Sequence, residues 1–280
     1  YFLKRRDRRE LAWVTTPAII LAFSGIAYAV GYGTKGGQVV LAQTGVVEAW
    51  AGRGAAPALA YLGLFSPRKT RYDLATEDGS VALMPAEGGD ESSRRPARVV
   101  EGDAFGLKDV PIDMWDMGLF RGDSVVELGE GFQGDLRRKE DDRLTGRVTN
   151  RTPFDLEDAA LLVGGRLVPW GTFRRGETRT IDTAWSPRGG GGSLVPPAAL
   201  QTVHGTLAPA RMRRALLESL TTMGPGGYPG GPGGYGSSGS PPNHPVLLGW
   251  VNRPLIPARV DGHPVHDQAA YLFLVHLPVK

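Results

Sequence analysis

From Leu11 to Thr34 the chain runs for 24 residues without a charged side chain, directly after the cluster KRRDRRE at residues 4–10. Few environments accept such a run. As a helix rising about 1.5 Å per residue it spans about 36 Å, more than the ~30 Å hydrocarbon thickness of a bilayer. Residues 11–34 are therefore expected to form a transmembrane helix, with Trp13, Ile19, Ile20, Leu21, Phe23 and Tyr28 anchoring it in lipid and at the two interfaces. Pro17 follows Thr15 and Thr16, which suggests a first-turn proline capped by Thr16. Two other readings compete. A secretory signal peptide shares the basic start and apolar centre, and Ala27-Tyr28-Ala29 offers a small-x-small cleavage pattern, but the run exceeds a usual signal core. A buried helix would need a large apolar core around it, which the glycine-rich sequence downstream does not promise.

The basic cluster sets the expected orientation. Short loops rich in Lys and Arg stay on the cytoplasmic side, so Lys4, Arg5, Arg6, Arg8 and Arg9 place residues 1–10 inside as a cytoplasmic basic loop. Everything after about Lys35 then lies outside, on a plasma (inner) membrane protein. Tyr1-Phe2-Leu3 reads as the cytoplasmic end of a preceding membrane segment. The same cluster accounts for the whole net charge. The chain carries 32 Lys+Arg against 29 Asp+Glu, and removing residues 4–10 leaves 27 of each. A nucleic-acid footprint needs basic residues gathered on one surface, and the balanced remainder offers none, so no nucleic-acid partner is expected.

The remainder reads as β structure. With no cysteine, neither a disulfide framework nor a thiolate metal site is available, and core burial must hold the fold. Glycine (40) and proline (22) are both abundant, as frequent turns require. QVVLAQTGVVEAWAG, APALAYLGLFSP and RYDLAT, all between residues 38 and 84, are short apolar runs bounded by breakers and predict strands, as does VVELG at 125–129. Residues 85–98 read as a surface loop. Gly164-Gly165 separates ALLV from RLVPW, a two-residue connection that favours a hairpin, and Arg175-Gly176-Glu177 marks a second turn before TRTIDT. AAYLFLVHLPV, residues 269–279, is apolar on both faces and predicts a central strand. Met212, Leu216 and Leu220 recur at helical spacing, so one short amphipathic helix is expected near 209–223. SPRGGGGSLVPP at 186–197 reads as a break, and residues 224–245 as a flexible Gly/Pro loop. The expected fold class is mainly β: antiparallel β-sandwich ectodomain structure, with a first β region at 38–143 and a second β-sandwich region at 144–280.

Chemical motifs face blander readings. GEGFQG (129–134) fits a dinucleotide fingerprint, but that motif works only where a strand turns into a helix, and the highly charged DLRRKEDDRL follows. It reads as a turn-rich loop, and no cofactor is expected. His263 and His266, with Asp261 or Asp267, could approach a metal, yet Pro264 breaks a helical pairing, so no metal site is assigned. His276 lies within an apolar strand and reads as a hydrogen-bonded interior group. Glu101, Asp103, Asp109, Asp113 and Asp116 recur in one stretch, and paired acids can drive glycoside hydrolysis. Asp113 and Asp116, with Trp115 to stack on a sugar, are the catalytic candidates on that reading. Asn150-Arg151-Thr152 is formally a glycosylation sequon and is read as accidental.

The order of basic loop, span and VTNRTPFDLEDAALLVGGRLVPWGTFRRGETRTI, closing with PVLLGWVNRPLIPARVDG, is similar to the extracytoplasmic β-sandwich portions of uncharacterised bacterial membrane proteins. The resemblance implies a β domain held outside the membrane, often with further domains upstream, and carries over no catalytic residue. The leading expectation is a membrane-anchored extracytoplasmic β domain with a non-catalytic binding or structural role in the cell envelope, its partners the lipid bilayer and an envelope protein or glycan. The alternatives are a glycan-acting hydrolase using the 101–116 carboxylates and an accessory subunit of an envelope transport complex.

Overall fold

The uncharged run forms α1, Ala12–Lys35, in a computed structural model that describes residues 12–35, 37–76, 81–86, 98–100, 105–139, 142–185, 199, 208–222 and 244–280. The helix is apolar all round. Its window Trp13–Gly31 is long and apolar enough to cross a membrane, and none of it is buried against the rest of the chain. Leu21 and Phe23 are 71% and 69% exposed, which excludes the buried-helix reading. Pro17 sits inside the helix, not in its first turn, so Thr16 is not the cap. The proline removes one bond to the Trp13 carbonyl, which a helix this long tolerates at its start. The basic residues Lys4, Arg5, Arg6, Arg8 and Arg9 lie outside the described residues.

Fifteen strands follow among the described residues. In chain order they are β1 (Val39–Trp50), β2 (Ala55–Ser66), β3 (Thr70–Thr76), β4 (Ala82–Pro85), β5 (Arg98–Val100), β6 (Gly106–Ile112), β7 (Asp116–Glu127), β8 (Phe132–Arg138), β9 (Arg143–Asn150), β10 (Leu156–Val163), β11 (Arg166–Phe173), β12 (Thr178–Ala184), β13 (Val246–Val251), β14 (Ala258–Val260) and β15 (Val265–His276). A second helix, α2 (Ala208–Thr222), precedes β13. The large sheet runs β11-β10-β13-β15-β1-β2-β7-β4, and two smaller sheets run β12-β9-β8 and β14-β3-β6-β5. The mainly β expectation holds. Strands from both sides of residue 143 join the large sheet, and one apolar core links all three sheets.

That core is a sandwich filling. Leu41, Leu62, Phe120 and Phe273 from the large sheet meet Phe132, Leu144 and Val148 from one small sheet and Tyr72, Leu74 and Val110 from the other. Alternation along β1 decides which residues enter it: Leu41, Val47 and Ala49 face the filling, while Val46 faces the opposite side. On that opposite side Leu216, Leu217 and Leu220 of α2 pack on Leu248, Trp250, Leu272 and Leu274. Arg213, 6% exposed, docks the helix: it bonds Glu157, Asp158 and Asn252 and lies over the Trp250 ring.

The antiparallel expectation needs one correction. β1 and β15 pair in parallel over twelve residues, from Val39 opposite Val265 to Trp50 opposite His276. From Ala269 onward β15 is covered on both faces, and its continuous apolar run suits a parallel neighbour as well as its antiparallel one, β13. At Gly164-Gly165 both residues have positive φ (53° and 78°), the geometry of the tight hairpin joining β10 to β11. GEGFQG leads into β8 and not into a helix, so no phosphate site forms there; a Cβ on Gly131 would collide with the Arg53 carbonyl oxygen. β7 is far longer than the expected strand at 125–129. Its inner arm carries charge because Arg121 and Asp123 pair with each other on the sheet surface. Most of the 85–98 loop, the 186–197 break and most of the 224–245 loop lie outside the described residues.

Both edge strands of the large sheet carry features that disfavour strand addition. On β11, Pro169 has no N–H to offer, and the Arg179 guanidinium from β12 donates to the carbonyls of Trp170 and Thr172. At the other edge β4 has four residues and ends on proline.

Candidate functional site

The acids singled out in the sequence stand at the turn from β6 to β7. Asp113 is exposed and pairs with Lys69 across 2.9 Å. Asp116 is the first residue of β7, and its Oδ1 accepts the Met117 N–H at 2.7 Å. The two carboxylates are thus engaged by different partners, one on the β2–β3 turn and one on its own strand. Trp115 is half-buried and its ring lies 6.0 Å from Phe65, tilted by 43°. Asp109 belongs to β6, where its N–H donates to Asp73 Oδ1. Glu101 and Asp103 lie outside the described residues. His263 packs edge-on against Tyr72, 4.9 Å between centroids. Among the described residues no group of three or more His, Asp or Glu side chains could hold a metal ion.

Asn150, the first residue of the sequon, is fully buried. Its Nδ2 donates to the carbonyls of Phe154 (2.8 Å) and Phe173 (3.2 Å), and its Oδ1 accepts from the Thr152 N–H and hydroxyl. An amide so enclosed is a structural hub and unavailable for glycan transfer in the folded chain.

The structure assembles a polar cluster that the sequence showed only in part. Parallel pairing sets Trp50 of β1 beside His276 of β15, and two residues earlier on the same face of β1 stands Glu48. His276 is 5% exposed, and its Nε2 lies 2.9 Å from Glu48 Oε1. Its Nδ1 lies 2.8 Å from Nε2 of His244, just before β13. With the His276 Nε2–H donated to Glu48, the neutral ring accepts at Nδ1 a hydrogen bond from the His244 Nε2–H. The result is a carboxylate–imidazole–imidazole relay. Trp50 roofs it, stacked on His276 with centroids 4.4 Å apart and tilted against His244 at 5.4 Å, while remaining 38% exposed. The interior reading of His276 matches this. Glu48 and His244 escaped notice because they are 228 and 32 residues from His276 in sequence.

The relay has a definite charge logic. The hydrogen bond from His276 holds the Glu48 carboxyl below its ordinary value against the opposing effect of burial, and a positive charge on His276, when that ring is protonated, acts in the same direction as the bond. Burial pushes His244 below its ordinary 6.5, and a positive charge on His276, when that ring is protonated, adds to the effect. Both folded-state values are depressed, so both contributions to stability exist above the unfolded values and are lost as pH falls through the folded ones. Acidification from pH 7 is therefore expected to lower the melting temperature, first through His244 below about pH 6.5 and then through Glu48 below about 4.5. In a His244→Gln variant the first of these losses should disappear from a calorimetric pH series; an unchanged slope there would refute the assignment.

Comparisons with known proteins add a family and little else. No curated protein matches the chain. Two solved structures of the yeast delta-COP-I mu-homology domain, one complexed with a Dsl1 WxWxV peptide, align at 9% identity over 85% of this chain. The alignment takes in 98% of the complexed chain and 97% of the other, with a TM-score of 0.42 in each case. A likeness that loose carries no argument about function. Residues 131–280, from the turn before β8 to the last residue, match a family model, and the chain belongs to the family described as Domain of unknown function (DUF8725).

Proposed function

We propose that this protein is a membrane-tethered β domain with a non-catalytic binding role in the cell envelope. The observation that carries the reading is α1: a nineteen-residue uncharged, predominantly apolar window, Trp13–Gly31, with no cover inside the chain, followed within a few residues by β1. Leaving those side chains in water would cost about 25 cal/mol per Å² of apolar surface, and a bilayer removes that cost. The basic residues at 4–9 and the uncharged face of α1 support a cytoplasmic N-terminal side with the β body on the opposite side. A binding role is supported by the Trp50 cluster. It presents a partly exposed indole, a side chain enriched at protein-binding hot spots, beside Glu48 and His244 at the end of β1 farthest from α1.

Topology and binding are tested together in native membranes. The full chain with a photo-crosslinking residue at Trp50 should pellet with membranes through alkaline carbonate, lose its β body to externally added protease and crosslink to a discrete protein. Release by carbonate would refute the tether. Retention with a crosslink only to glycan would reassign the partner.

A further inference from the structure

We propose that the corner between β6 and β7, formed by Met114, Trp115 and Met117 with Phe65 and Leu119 beside it, seats in the headgroup–acyl boundary of the bilayer that α1 crosses. The inference rests on the spanning reading of α1. It follows from where the strand register puts these residues. Three residues lie between Lys35 at the end of α1 and Val39 at the start of β1, a reach over four Cα steps of at most about 14 Å. The α1-proximal end of the β body is therefore held at the membrane surface.

Val40 lies opposite Phe65, Phe65 opposite Met117, and Ser66 opposite Asp116. Two strand spacings of about 4.8 Å carry that line sideways from β1 to β7 without changing its height. Leu119 stands opposite Gly63, itself opposite Ala42, one step further along the same face. Met117 lies flat there: a Cβ on Gly63 would come within 2.8 Å of its sulfur. Met114 is 61% exposed, Leu119 49% and Met117 47%, so one corner gathers three of the eight exposed large apolar side chains that the β body shows among the described residues.

The corner is also held in an uncommon backbone state. Trp115 has φ 63°, a conformation that bulky side chains rarely adopt, and its N–H donates to the Ser66 carbonyl at 2.9 Å. Strain of this kind persists where the surroundings fix it, and here it fixes the tip Met114-Trp115 where the chain passes from one sheet to another. An indole at that height, above exposed methionines, matches the amphipathic side chains that settle at membrane interfaces. The ionic rim is balanced, with Lys69 against Asp113 and Arg71 against Asp109, so apolar contact and not anionic-lipid attraction drives the seating.

The chain contains no cysteine, so single labels are available at will. Met114→Cys and Arg53→Cys, each carrying a polarity-sensitive fluorophore, are placed in the full chain reconstituted in phosphatidylcholine vesicles. Arg53 lies beyond the far end of β1, about 36 Å from Val39. The label at 114 should be blue-shifted and quenched severalfold more than the label at 53 by lipids spin-labelled near the headgroup. Adding phosphatidylserine or salt should leave that ratio unchanged. Flotation of the vesicles separates the two claims. Protein that floats with both labels equally unquenched overturns the seating and leaves the span intact; protein that does not float overturns both. Disulfide crosslinking between Met114→Cys copies in place of lipid quenching would also overturn it, assigning the corner to self-association.

Discussion

Replacing Asn150 with alanine is expected to cost the fold about 2–4 kcal/mol, because one amide serves four partners where water cannot substitute. Removing it takes away the side-chain bond to the Phe173 carbonyl and the acceptor of the buried Thr152 N–H. Phe154 keeps a weaker bond from the Thr152 hydroxyl at 3.3 Å. The loss reaches beyond one loop, since Asn150 ends β9 while Phe173 ends β11, so the amide ties two different sheets. For a body of this size the corresponding fall in melting temperature is about 5–15 °C. Arg151→Ala is the control. Arg151 is the next residue, but its ion pair with Glu130 is solvent-exposed on both sides, and exposed pairs contribute about 0–1 kcal/mol. Denaturant melts of the two variants should differ by more than 1.5 kcal/mol if the amide is the hub. Equal effects would mean that the connection from β9 to β10, and not Asn150, supplies the stability.

What the sequence revealed of this fold divides by distance along the chain. Gly164-Gly165 announces its own hairpin, since the turn and both strands occupy eighteen consecutive residues. β15 declares itself as a central strand by being apolar on both faces, and α2 by the spacing of Met212, Leu216 and Leu220. These signals are local because backbone period and side-chain burial are local. The parallel partnership of β1 with β15 leaves no such trace. Both strands would look the same with any apolar neighbour, and only the assembled topology brings Trp50 to His276. β7 was shortened by the same limit: Arg121 and Asp123 look like loop residues until they are seen to neutralise each other on the sheet surface.

The polar sites follow that division. A run of acids draws attention at 101–116 because its members are close in sequence, yet Asp113 turns to Lys69 and Asp116 to the Met117 N–H. Glu48, His244 and His276 come from three separate segments, and nothing in any one segment marks the other two. Likewise the exposed corner at Met114 and Met117 gains its meaning from strand register, which places Met117 level with Val40 near the start of β1.

The largest effect of all is expected from charge placed in α1. In Leu21→Arg/Phe23→Arg, each arginine near the helix centre adds about 2.5–3.5 kcal/mol to the cost of membrane insertion, and each lost apolar residue about 0.3–0.6 more. Together they oppose insertion by about 6–8 kcal/mol, enough to shift the chain almost wholly from the membrane pellet to the alkaline-soluble fraction. The β body should not notice. Neither side chain is buried against it, so its melting temperature should match that of the unsubstituted chain in the same detergent. That pairing separates three accounts of α1. A packing helix would lose stability together with membrane association. A signal sequence would be absent from the mature wild-type protein, whose mass would then begin after Ala29, and only a retained span leaves the mass whole and the body intact while moving the chain out of the membrane.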